Sequence, residues 1–112
     1  MQDFMLLFRQ PSFDYSQASP EDIKAIFKKW DDWKGGIAAQ GKLISTGNRL
    51  SSEGKVLKAG GVVTDGPFAE IREILGGYMV VKADSFDDAL TLAHGCPAID
   101  VGGSVEIRAV AG

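Results

Sequence analysis

The chain has one cysteine and one histidine among its 112 residues, and that scarcity narrows the chemistry before any motif is read. A single thiol, Cys96, cannot close an internal disulfide, and a chain without disulfides suits a reducing compartment. One imidazole and one thiol leave only carboxylates as further metal ligands, and no spacing among them resembles a zinc or calcium loop. Neither a metal nor a cofactor is expected. A basic excess is missing as well: 12 Lys and Arg face 15 Asp and Glu, a net charge of −3, whereas a nucleic-acid binder presents a basic face to phosphate. Lys24, Lys28, Lys29 and Lys34 do cluster, but Asp31 and Asp32 beside them dilute the field, and the group reads as a solvated helix face. No apolar run reaches the ~20 residues that span a bilayer, and Met1-Gln2-Asp3 lacks the basic region of a signal peptide. The expectation is a cytoplasmic protein with no membrane or direct nucleic-acid partner.

What is present is a 45% hydrophobic composition, enough for one modest core, so residues 1–112 are read as a single domain. Residues 4–9 form an apolar run of strand length. Ser19-Pro20-Glu21-Asp22 supplies an N-cap, a proline at the first helical position and acids where the helix dipole favours them. Ile23, Ile26, Phe27, Trp30, Trp33 and Ile37 then recur at spacings of three and four, a stripe that must pack on something flat, until Gly41 closes the helix. Residues 42–47 read as a second strand, and 48–61 as a Gly- and Ser-rich loop with a short hairpin arm at 55–58. Residues 71–75 read as a bend. In the strand over 76–83, Tyr78, Val80 and Lys82 oppose Met79, Val81 and Ala83. Ser85 with Asp88 opens a second helix, with Phe86, Ala89, Leu90, Leu92 and Ala93 as its apolar face and Gly95 and Pro97 at its end. Residues 105–110 alternate and close the sheet.

The order β-α-β, hairpin, β-α-β predicts an α+β fold of the ferredoxin-like, split βαβ type, with two helices on one face of the sheet. Two helices leave the other face bare, and a second copy of the chain is expected to cover it.

Asp65-Gly66-Pro67-Phe68-Ala69-Glu70 is the most distinctive stretch. Asp bonds its own backbone, Gly tolerates positive φ and Pro fixes φ, so Asp65 is held on a rigid turn. Thr64 to Glu70, with Glu73, Gly76-Gly77-Tyr78, Gly95-Cys96-Pro97 and the closing Gly103-Ser104-Val105-Glu106-Ile107-Arg108, resembles the signature of the DGPF group within the YCII-related family. The resemblance implies a dimeric α+β barrel and leaves the reaction open, because members are mostly of unestablished biochemical function. In parts of the family this Asp is thought to act beside a histidine on the first helix. Here that helix, 21–40, contains none.

Asp65 has two readings: a partly buried carboxylate of raised pKa acting as general acid or base, or a residue that only ties the turn. Arg9 and Arg72 suit an anionic ligand by bidentate geometry, or else pair with Glu70 and Glu73. Trp33, Phe68 and the hydrogen-bonding Tyr78 complete the candidate ligand cleft near Asp65, although Trp33 and Trp30 equally suit a core. His94 reads as a cation at a helix C-terminus, and Cys96 as a small buried residue. The Gly60-Gly61, Gly76-Gly77 and Gly102-Gly103 pairs do not have the setting of a phosphate loop. Two functions follow: a homodimer binding a small, anionic molecule near Asp65 with acid–base catalysis, or a non-catalytic regulatory module. The second accords with the transcription-initiation label some relatives carry, acting through protein contact.

Overall fold

Ser19 accepts the backbone N–H of Asp22 at 3.1 Å, and Pro20 takes the first helical position, so the first helix begins where its capping chemistry predicts. The structure, a computed structural model, describes residues 1–10, 18–51, 53–66 and 74–111. In chain order the elements are β1 (Gln2–Gln10), α1 (Pro20–Ala39), β2 (Leu43–Arg49), β3 (Lys55–Leu57), β4 (Val63–Asp65), β5 (Ile74–Ala83), α2 (Phe86–Ala93), α3 (Pro97–Asp100) and β6 (Ser104–Ala109).

Four strands form one sheet in the order β2-β5-β1-β6, every neighbouring pair antiparallel. Strand β1 lies between β5 and β6, the two strands that α2 connects, and β5 lies between β1 and β2. That interleaving is the split βαβ arrangement, and the α+β architecture is compatible with a ferredoxin-like fold. Strands β3 and β4 form a separate two-stranded hairpin, with Lys55 opposite Asp65 and Leu57 opposite Val63.

The core follows the period-two alternation of the central strands. Phe4, Leu6 and Phe8 of β1 and Met79, Val81 and Ala83 of β5 are buried with Ile37, Ala89, Leu92, Cys96 and Ala98 from the helical side. Register places Leu6 opposite both Met79 and Ile107, and Phe8 opposite Val105. Each large side chain so buried contributes about 1.5–3 kcal/mol. The next residues along β1, Met5 and Leu7, stand opposite Val80 and Tyr78 on one side and Arg108 and Glu106 on the other, forming the face turned away from the helices.

Several boundaries differ from those read in the sequence. Strand β2 runs on to Arg49, through a glycine that looked like its end. Gly47 sits at a register irregularity with φ +64°, so close to the Tyr78 carbonyl that no Cβ could be accommodated. The glycine permits a bulge. The bend expected at 71–75 is strand from Ile74 onward, because Ile74 and Leu75 pair with Gln10 and Arg9; residues 71–73 lie outside the described residues. Pro97 opens α3 rather than only ending α2, as proline suits a first helical turn. Phe86 and Leu90 of α2 are about half exposed, and Ala89, Leu92 and Ala93 carry its packing. The apolar stripe of α1 is also less flat on the sheet than its spacing implied, for Ile37 alone among its residues is fully buried. Among the described residues, no helix is long and apolar enough to cross a membrane.

Candidate functional site

Ile37 in the last turns of α1 is the buried residue of that helix, and earlier turns border a cavity of about 220 Å³ against the strand ends. Phe27, Trp30, Asp31 and Lys34 recur at helical spacing and line it from α1. Phe8 and Gln10 come from the end of β1, Asn48 and Arg49 from the end of β2, and Gly76, Gly77 and Tyr78 from the start of β5.

The apolar wall is fixed by ring contacts. Phe8 meets Trp30 edge to face at 4.9 Å between centroids and Trp33 at 5.7 Å, and the two indoles stand 5.8 Å apart. These T-shaped arrangements are the ones aromatic quadrupoles favour. Gly77 pairs with Phe8 and approaches β2 so closely that an added Cβ would lie 3.0 Å from the Asn48 carbonyl oxygen, so this part of the wall is bare backbone.

The polar groups carry mixed charge. Lys34 Nζ lies 5.8 Å from the Trp30 ring centroid and donates to the Thr46 carbonyl at 3.4 Å. The Arg49 guanidinium lies 5.4 Å from the Phe27 centroid. Asn48 Nδ2 donates to the Tyr78 hydroxyl at 2.9 Å. Among the described residues, the lining holds two cations, Lys34 and Arg49, and one carboxylate, Asp31, in a chain whose net charge is −3.

The residues named from the sequence are dispersed. Tyr78 borders the cavity, although the β5 alternation sets it with Val80 on the side of the sheet opposite Met79 and Val81. Trp33 adjoins it through Trp30 but packs against the core and donates its indole N–H to the Leu92 carbonyl at 3.1 Å. Arg9 pairs with Glu106 at 3.3 Å, and Arg108 takes the other Glu106 oxygen at 3.3 Å. Asp65 ends the β3–β4 hairpin with its side chain 92% exposed and accepts from Lys55 Nζ at 2.9 Å. The partial burial expected of this carboxylate is not found in the single chain, because the hairpin is a sheet of its own and not an edge of the main one. Gly66 follows with φ +78°, a value that suits glycine in the expected turn. Phe68 and Arg72, with Pro67, Glu70 and Glu73, lie outside the described residues.

His94 caps the C-terminus of α2 through its backbone N–H to the Leu90 carbonyl. Cys96 is fully buried, and burial pushes its thiol up to about 11. It packs as a thiol, not as a thiolate nucleophile. Among the described residues, no group of three or more His, Cys, Asp or Glu is placed to hold a metal ion.

Sequence reasoning missed Phe27, Asp31, Lys34, Asn48 and Arg49 as site residues. Phe27 belonged to the helix stripe, while Asp31 and Lys34 looked like a solvated face. The usable signal was Gly76-Gly77 at the start of a strand, since glycine there often marks a close backbone approach.

A four-stranded antiparallel sheet in this order, with helices packed on one face and a cavity between the first helix and the strand ends, makes an α+β architecture compatible with a ferredoxin-like fold. The family model of the YCII-related domain matches residues 14–111, and the chain belongs to that family. Comparison with curated proteins finds no match.

Proposed function

We propose that this chain is a single-domain, homodimeric, small-molecule-binding member of the DGPF group of YCII-related proteins, with its ligand in the cavity between α1 and the sheet. The observation that carries the reading is the cavity itself: concave, walled by aromatic rings, with a few convergent polar groups, the usual make-up of a ligand site. The anionic ligand expected from the sequence is supported here by Lys34 and Arg49, not by Arg9.

The dimer is supported by two surfaces that the described residues leave partly open. Among the described residues, no helix lies on the sheet face bearing Met5, Leu7 and Val80. The hairpin presents Leu57 and Val63, which are 72% and 55% exposed and directly opposite each other. An isolated two-stranded hairpin is marginal in water, and a second copy would bury both surfaces in the manner of a dimeric α+β barrel. The catalytic part of the reading rests on Asp65, which shares the hairpin face of Leu57 and Val63 and would meet a ligand across the subunit boundary. The same exposed hairpin is what favours the second reading, a non-catalytic module acting through protein contact. A reducing cytoplasm suits the lone buried Cys96.

A fragment library screened by ¹H–¹⁵N correlation spectra tests the site. Perturbations should gather on the Trp30 indole N–H and on Lys34, Asn48, Arg49 and Tyr78. Fragments that perturb none of these would remove the cavity as the binding site. Light scattering at micromolar concentration tests the dimer, and a monomeric mass would overturn it.

A further inference from the structure

We infer that the outer edge of β6 pairs antiparallel with β6 of a second copy of the chain, about a two-fold axis at Ile107, so that Glu106 of each copy faces Arg108 of the other. This contact uses a different surface from the proposed dimer, which rests on the sheet face and the hairpin.

The two outer strands of the sheet are β2 and β6. An outer strand carries a row of unpaired backbone N–H and C=O groups, which proteins blunt with bulges, proline or lysine. Strand β2 is blunted, for its pairing with β5 is interrupted between Leu43 and Ser45 and again between Ser45 and Asn48. Strand β6 is not. It pairs with β1 without irregularity and contains neither proline nor lysine. Among the described residues, no strand lies on its other side.

The phase of the ladder decides which backbone groups are left over. Val110 donates its N–H to the Asp3 carbonyl at 2.9 Å, and backbone direction alternates along an antiparallel strand. Arg108 and Glu106 therefore turn their backbone groups toward Met5 and Leu7, while Val105, Ile107 and Ala109 turn theirs outward. An axis at Ile107 sets it against the partner's Ile107, and Val105 against the partner's Ala109, each pair exchanging both of its hydrogen bonds.

The side chains agree with that register. Glu106 falls opposite the partner's Arg108 at the short spacing of a non-hydrogen-bonded pair, where opposite charges attract best. Moving the axis to Val105 or to Ala109 sets Glu106 against Ser104, or Arg108 against Val110, and both ion pairs are lost. Within one chain Arg108 is bound to its own Glu106 at 3.3 Å yet stays 70% exposed, and Glu106, shared with Arg9, is 39% exposed. Both charges thus remain open to a partner. On the other face Val105 and Ile107 are only partly buried against the core, and the pairing covers more of them.

Amide hydrogen exchange reads the edge directly, and light scattering reads the mass, so the edge contact and the proposed dimer are tested apart. In the wild type, the amides of Val105 and Ile107 should be as protected as those of Glu106 and Arg108. Arg108→Glu sets like charges opposite each other on both sides of the axis and should weaken the pairing roughly tenfold or more. Glu106→Arg should do the same. Mixing the two variants restores opposite charges across the axis and should restore the protection, a recovery that no folding defect can produce. Ala109→Pro removes an outward N–H and leaves the bonds to β1 in place, so Val105 and Ile107 should lose protection while Glu106 keeps it. A protected edge with a tetrameric mass would support both contacts, and a protected edge with a dimeric mass would support this one alone. Fast exchange at Val105 and Ile107 in the wild type would overturn the edge contact, and a dimeric mass would then leave the proposed dimer standing. Protection that persists in both Arg108→Glu and Ala109→Pro would also overturn it, because something other than a second β6 would then cover the edge.

Discussion

Trp33 on α1 donates its indole N–H to the carbonyl oxygen of Leu92 in the last turn of α2, at 3.1 Å. The last four carbonyls of a helix have no intrahelical donor, so Trp33 serves as a side-chain cap that ties the two helices together. Trp33→Phe keeps most of the ring packing against Phe8 and deletes the donor. It should lower stability by about 1–3 kcal/mol, the cost of leaving a part-buried carbonyl unpaired, visible as a lower melting temperature with an unchanged far-ultraviolet spectrum. An unchanged melting temperature would show that water takes the place of the indole.

Gly47 and Gly41 have similar positive φ values, +64° and +71°, but only Gly47 lies against another backbone, that of Tyr78. Replacement at Gly41 should cost about 1 kcal/mol through backbone strain alone. Gly47→Ala should cost clearly more, because β2 must move away from β5 to admit the methyl group. Chemical denaturation of both variants checks the difference, and equal costs would count against the close approach.

Cys96 gives stability a pH dependence of known sign. Its thiol is raised by burial from 9.0 to about 11, so the folded state holds this proton more tightly than the unfolded chain. The contribution is complete below pH 9 and is lost as pH rises toward 11. Wild type should therefore lose stability across that interval more steeply than Cys96→Ala. Parallel slopes in the two proteins would show that the thiol is less buried than it is here. A thiol reagent at pH 8 should label the native protein no faster than it unfolds.

The motif turn should divide into a backbone part and a charge part. Gly66 at φ +78° makes Gly66→Val cost at least about 1 kcal/mol. Asp65→Asn removes an exposed ion pair with Lys55 and should change stability by less than about 1 kcal/mol. An acid–base role for Asp65 requires that Asp65→Asn lose turnover while keeping its fold. A variant that retains full turnover would confine Asp65 to the turn.

Local chemistry made much of the fold legible. Ser19 and Ser85 cap α1 and α2 as read, and the alternation of Met79, Val81 and Ala83 with Tyr78, Val80 and Lys82 separated the two faces of β5, of which the first is the buried one. Lys55 to Leu57 could be recognised as a hairpin arm from the glycines around it. The misreadings share one cause. Gly47 and the residues around Ile74 looked like breaks because glycine and loop composition report local preference, while strand pairing across β5 and β1 is a contact between distant segments that overrides it. The candidate site suffered most. Tyr78 was found, but Lys34 and Asp31 are polar residues on a helix, indistinguishable by composition from those that face only water.

The sequence by itself determined most of the order of elements, the caps that start the helices, the alternation of the strand over 76–83 and the family, because each depends on residues near one another in the chain or on their pattern along it. Only the tertiary structure decided that α1 would be buried at Ile37 and leave Phe27 partly exposed in the lining of the cavity. It also set Arg49 over Phe27 and Lys34 over Trp30, and left Asp65 on a hairpin apart from them. The physical reason is that a cavity is the space left by imperfect packing between segments, and packing is settled by the shapes of all the surfaces that meet, which no local window of residues contains.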